Sequence, residues 1–217
     1  MSLRNVVTMV MIGGLALSPA APTEAGGLVA KGVKAGVAVS DIGGGVGDLV
    51  RAQTRGGFTG GAFVSIGLGG AFQLQPELLF VSKGATSHLE LTDDSGIPIG
   101  TAKETFALDY LEIPVLARIA FPTHGPVRPS LLAGLAYAIK LRGRHSVGIP
   151  GVPSADLEFV SRADLGLVLG AAVDLHRGPR GFLLDARYTL GLTNVWGTLG
   201  NLNARNRTFA LMAGYGL

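Results

Sequence analysis

The sequence predicts an all-β fold, an eight-stranded antiparallel up-and-down transmembrane β-barrel following an N-terminal signal peptide. Three observations carry that prediction. Successive segments alternate apolar and polar residues with a period of two, the signature of a strand. On nearly every such segment one face is free of charge, and the lysines, arginines and carboxylates gather on the other. The connections between segments run long, short, long, short, long, short, long, the rhythm of bacterial outer-membrane barrels with short periplasmic turns and longer external loops.

The clearest segment is Tyr110–Phe121, YLEIPVLARIAF. Leu111, Ile113, Val115, Ala117, Ile119 and Phe121 share one face; Tyr110, Glu112, Pro114, Leu116 and Arg118 share the other. Glu112 and Arg118 resist burial unless they are paired. A soluble sandwich would turn this charged face to water. A membrane barrel turns the apolar face to lipid and the charged face inward.

Composition favours the second arrangement. Of 217 residues, 47% are hydrophobic and only 15% charged, against about a quarter in ordinary soluble domains. The absence of cysteine excludes disulfides, thiolate metal sites and cysteine nucleophiles. The net charge of +3 is small, and no Lys/Arg block stands out, so nucleic acid is not an expected partner. Residues 1–25 read as the signal peptide. Arg4 supplies the positive start, Val6–Leu17 the apolar stretch, and Ser18-Pro19-Ala20 or Thr23-Glu24-Ala25 the cleavage site. Residues 26–217 then form the barrel domain. No run of 18 apolar residues follows Ala25, which excludes a spanning helix. A hydrophobic secreted chain without one must cross by strands. The expected location is the bacterial outer membrane, with membrane lipid as the obligatory partner and a monomer as the expected state.

In order, Lys31–Ile42 is the first strand, with Val33, Ala35, Val37 and Val39 outward and Lys34, Gly36, Ala38 and Ser40 inward. The Gly-rich segment Asp41–Arg55 is a loop; its GGGVG run lacks the Lys-Ser/Thr of a phosphate loop. Gly57–Leu68 and Ala71–Ser82 flank Gly69-Gly70, a hairpin signal. Pro76 and Pro114 mark bulges or neighbouring sites where a ladder bond is given up. Lys83–Lys103 is a long polar segment whose ends extend the flanking strands. After Phe121, Pro122–Pro126 is a short turn. Arg128–Arg142 is the fifth strand, with Lys140 and Arg142 inward, and Gly143–Glu158 is a loop. Arg162–Leu175, Phe182–Leu192 and Asn206–Leu217 complete the count, separated by the turn His176–Gly181 and the loop Thr193–Arg205. Exposed aromatics, among them Phe58, Phe80, Phe182, Tyr188 and Trp196, suit interfacial belts.

The runs KGVKAGVAVSDI, QPELLFVSKGA (Gln75–Ala85) and LDYLEIPVLARIAF (Leu108–Phe121) resemble the PorT-like family of outer-membrane β-barrel proteins. That resemblance covers most of the mature chain in strand order. It implies the barrel fold and, through members linked to a Bacteroidetes-type secretion apparatus, a partner among envelope or secretion proteins.

The inward face collects Lys34, Glu77, Glu112, Arg118, Lys140, Asp164, Asp174, Asp185 and Arg187, a candidate charge network. Eight-stranded barrels are just wide enough for side chains to fill, so these residues are expected to plug the lumen in mutual pairs. A narrow polar conduit is the alternative. A rim enzyme would need a Ser–His–acid set; His88 and His145 lie in segments expected outside the membrane, beside Ser87 and Ser146. Ser87 and His88, being adjacent on a strand, point to opposite faces. No catalytic, cofactor-binding or metal-binding residue is assigned.

Overall fold

Residues alternating large apolar and small or polar side chains can satisfy their backbone groups in lipid only by pairing strand to strand until no edge remains. The computed structural model describes residues 26–43, 53–157, 161–177, 180–194 and 205–217, and does so as one closed sheet. Its strands are β1 (Leu28–Gly43), β2 (Gln53–Gly69), β3 (Phe72–Thr92), β4 (Pro98–Ala120), β5 (Val127–Val147), the two-residue β6 (Ala155–Asp156), β7 (Ala163–Arg177), β8 (Arg180–Gly191) and β9 (Arg205–Gly216). The order is β4-β3-β2-β1-β9-β8-β7-β5, with β4 pairing β5 to close an eight-stranded ring; β6 lies beside β5 outside it. Every neighbouring pair is antiparallel. The expected signal segment, residues 1–25, most of the first loop and Trp196 fall outside the described residues.

Burial follows the alternation and inverts the usual rule. On β5, Ser130, Leu132, Ala136 and Ala138 are buried, while Leu131, Leu135, Tyr137 and Ile139 are exposed. On β8, Asp185 and Arg187 are buried, while Phe182, Leu184 and Tyr188 stand out. An outer wall of exposed leucine, valine and phenylalanine around buried carboxylates and guanidiniums is stable only where the surroundings are hydrocarbon. The interior is occupied from all eight strands. One apolar cluster joins Phe63, Leu116, Leu132, Val168 and Leu183; a second joins Ala38, Leu79, Val81 and Met212; a third, at the loop side, joins Leu108, Tyr110, Ala138 and Leu157.

Three expectations about the loop side require correction. The polar segment Lys83–Lys103 is mostly strand. β3 and β4 stay in register from Lys83↔Leu108 to Leu91↔Gly100, and Asp93 closes the turn by accepting the amides of Ser95 and Ile97. Polarity misled because strands beyond the bilayer no longer need an apolar face. Similarly, β5 runs to Val147, so His145 lies on a strand. Arg142 is exposed rather than inward: the register slips between Asp109 and Tyr110, Leu141 becomes an extra residue on β5, and the faces exchange beyond it. Pro76 and Pro114 mark no bulge, since the β3–β4 register is the same on both sides, but they are neighbours across the ladder, whose pairing breaks between Pro76↔Val115 and Leu79↔Glu112.

Candidate functional site: the charged interior

The centre of the barrel holds two cations and two carboxylates from three strands. Lys34 on β1 donates to Glu77 Oε1 at 2.7 Å and to Asp185 Oδ2 at 2.9 Å. Arg187 grips Glu77 with both terminal nitrogens, at 2.8 and 3.1 Å, and donates from Nε to Asp185 Oδ1 at 3.0 Å. The side chains of Lys34, Glu77 and Asp185 are fully shielded. Such burial is tolerated because the charges cancel and almost every donor finds an acceptor. Gln75, two residues from Glu77 and so on the same face, donates to Glu77 Oε1 at 2.7 Å.

Gln75 links this cluster to a second one nearer the short turns. Its Oε1 accepts from Ser65 Oγ and from Arg118 Nη1, each at 3.0 Å. Arg118 also donates to Ser130 Oγ at 3.1 Å and pairs with Asp174 on β7. A third pair lies toward the loops, where Glu112 meets Lys83, whose ammonium sits 5.3 Å over the Tyr110 ring. Asp164 is held by Asn206 Nδ2 at 2.8 Å and by Thr193 Oγ1. Lys140 is half-buried and donates to the Leu157 carbonyl at 2.9 Å, tying the segment after β6 into the mouth.

The nine expected residues therefore divide. Lys34, Glu77, Asp185 and Arg187 form one cluster and Arg118 and Asp174 another, while Glu112 pairs with Lys83, Asp164 is held by Asn206 and Thr193, and Lys140 bonds the Leu157 carbonyl. Lys83 was missed as an inward residue, although it shares parity with Glu77, Leu79 and Val81; it had been assigned to the polar segment. Gln75, Ser65, Ser130 and Asn206 were missed as well, because a neutral side chain gives no sign of being a bridge until its neighbours across the lumen are known.

At the rim, His145 Nε2 lies 2.7 Å from Glu104 Oε1, its ring stacks on Phe106 at 4.7 Å, and Ser87 Oγ donates to Glu104 Oε2 at 2.8 Å. The carboxylate stands between serine and imidazole. A nucleophilic serine needs the imidazole on its own hydroxyl, so this is a structural bridge in form. His88 is exposed on the opposite face of β3.

No curated protein matches the chain. Among solved structures, Neisserial surface protein A is 18% identical with a TM-score of 0.46, over 85% of this chain and 95% of that one. OprG from Pseudomonas aeruginosa is 14% identical with a TM-score of 0.43, over 88% and 95%. Ail of Yersinia pestis is 16% identical with a TM-score of 0.40, over 89% and 100%. The model of the outer membrane protein beta-barrel domain matches residues 22–197. With that match over most of its length, the chain belongs to the outer-membrane protein β-barrel family and resides in the bacterial outer membrane.

Proposed function

We propose that this protein is a plugged barrel, a membrane anchor without transport or catalysis that acts by presenting its extended β3–β4–β5 wall at the cell surface. The observation carrying this reading is the central cluster. Lys34, Glu77, Asp185 and Arg187 reach into the lumen from β1, β3 and β8 and satisfy one another while buried, the first three with fully shielded side chains. A conducting lumen needs charges that face water and exchange partners with passing ions. Those here are already committed to each other. The apolar clusters above and below support the same conclusion.

What remains for function is outside the bilayer. From the outward pair Phe80 and Leu111 to the tip pair Thr92 and Pro98, β3 continues for twelve residues, roughly 40 Å of strand at about 3.3 Å per residue. A paired hairpin of that length is a stiff projection suited to recognition at a distance from the lipid headgroups. The resemblance to PorT-like proteins supports a partner in envelope assembly or secretion, and this projection is where it would dock.

Single-channel recording of the refolded protein in a planar bilayer tests the reading, with Glu112→Gln and Arg118→Gln alongside. Silence in all three is the expected result. A defined conductance altered by either substitution would overturn it. Deleting residues 88–103 from the hairpin should leave the barrel folded and heat-modifiable on gels while abolishing cross-linking to envelope proteins. Unchanged cross-linking would move the docking surface elsewhere.

A further inference from the structure

The outer wall is not uniform. Across β2, β1 and β9 the outward residues Gly60, Ala35 and Ala213 stand directly opposite one another, Ala35 pairing with both of its neighbours. They floor a trough of about 470 Å³ walled by Phe58 on one side and by Phe182 and Tyr215 on the other. The two walls are built: Phe182 and Tyr215 meet edge to face at 5.4 Å, and Phe58 leans on Phe80 at 6.5 Å. The trough is shallow and open outward, and its lining is nearly all apolar carbon.

The sheet register then places charge beyond the Phe182–Tyr215 wall, on the side of the short turns. The row below the floor is Val33, Tyr215 and Phe182. The next row begins with Lys31, whose carbonyl accepts the Leu217 amide at 2.7 Å, and ends with Arg180, two residues before Phe182 and so on the same face. Lys31 and Arg180 are both exposed. This end of the barrel carries the short turns, including Gly69-Gly70, and therefore faces the periplasm.

We propose that this trough holds one phospholipid of the periplasmic leaflet, with an acyl chain lying over Ala35, Gly60 and Ala213 and passing the aromatic wall over Val33, and with the headgroup phosphate held by Lys31 and Arg180. Hydrocarbon chain matches the apolar lining, and an anionic headgroup matches two cations one row beyond the aromatic wall. A second barrel does not fit the same surface. The walls project, with Phe182 65% and Phe58 54% exposed, and hold a flat partner away from the floor; a stable protein interface needs about 1,000 Å² of good complementarity. The site is separate from the lumen and the surface hairpin, so its failure leaves the plugged-barrel reading untouched.

The test is native mass spectrometry of the full protein in non-ionic detergent with added phosphatidylglycerol, and with diacylglycerol of the same chains as the phosphate-free control. One phosphatidylglycerol per barrel should be retained and diacylglycerol should not. Filling the trough with Ala213→Phe should weaken retention about tenfold, as should the double change Lys31→Gln and Arg180→Gln, where tenfold is 1.4 kcal/mol. Ala133→Phe adds the same bulk to the outer face of β5 and should change nothing. Should Ala213→Phe fail to give a heat-modifiable band, Ala35→Leu replaces it. Wild-type retention by the filled variant, an equal loss in Ala133→Phe, or equal binding of diacylglycerol would each overturn the proposal.

Discussion

Lys34 and Asp185 are 151 residues apart in the sequence and 2.9 Å apart in the barrel. One stands on the first strand and the other on the eighth, and with Glu77 from the third they tie together walls that share no ladder hydrogen bonds. The cost of removing one partner is set by what it abandons. Lys34→Met leaves Glu77 and Asp185 both buried with Arg187 as their single counter-charge. It should destabilise the folded barrel by about 3–5 kcal/mol, read from urea unfolding in lipid vesicles. The double change Lys34→Met with Glu77→Met leaves the Asp185–Arg187 pair balanced and should cost less than the sum of the two single changes. Strict additivity in that cycle would mean that the cluster is not energetically coupled.

The outer wall gives a test of environment. Leu169 sits mid-strand on β7, is 54% exposed and faces away from the lumen. In water, an exposed leucine accepts arginine at almost no cost. In a bilayer, Leu169→Arg should lower folding stability by about 2–4 kcal/mol. A neutral effect in vesicles would place this face outside the hydrocarbon.

The turn-side cluster is joined by one long side chain. Arg118 connects Gln75, Ser130 and Asp174, and Arg118→Ala removes all three contacts at once. This truncation should produce a small, flickering conductance absent from the wild type, together with a loss of stability from the unpaired Asp174. Glu112→Gln, acting at the opposite end, should produce no conductance. Silence in the Arg118→Ala variant would assign closure to the apolar clusters alone.

Gly84 lies where the register of β3 with β2 shifts, between Val81 and Ala85, while its pairing with β4 continues. Its φ is +137°, and an added Cβ would lie 1.9 Å from the Phe106 carbonyl oxygen. Its amide donates to Ser40 Oγ at 3.1 Å. Gly84→Ala should cost about 2–3 kcal/mol through backbone strain and displacement of β4. Because Gly84 lies at the base of the projecting hairpin, protease accessibility of residues 88–103 should rise in the same variant. Unaltered stability and proteolysis would contradict the local geometry.

The rim bridge Ser87–Glu104–His145 links β3, β4 and β5 above the membrane. Glu104→Gln keeps the shape and removes the charge, and should leave the barrel heat-modifiable while loosening the projecting wall. Faster amide exchange confined to residues near Ser87, Glu104 and His145 is the expected signature. Exchange unchanged from wild type would deny the bridge a structural role.

Much of this architecture was legible beforehand because a barrel is written in a simple code. With a period of two, parity alone assigns each residue to lipid or lumen, and Lys34, Glu77, Glu112, Arg118, Asp164, Asp185 and Arg187 all prove buried where parity put them. The code fails where the environment stops enforcing it. Beyond the bilayer no lipid enforces an apolar outer face, so residues 83–103 look like a loop although they pair in register. One extra residue, Leu141, exchanges the faces of everything after it on β5, and Arg142 turns outward. No local pattern announces such a bulge, since its cause lies in the mismatch with β4.

By itself, then, the sequence determined strand number, the lipid and lumen faces and the set of charges that must find partners, because these follow from local alternation and from hydrocarbon's intolerance of unpaired polar groups. Which charge meets which was decided only by the closed sheet. Shear between strands sets the height at which each inward side chain enters the lumen. That height brings Asp185 to Lys34, gives Glu112 to the unforeseen Lys83 and lines up Gly60, Ala35 and Ala213 as a trough on the outer wall.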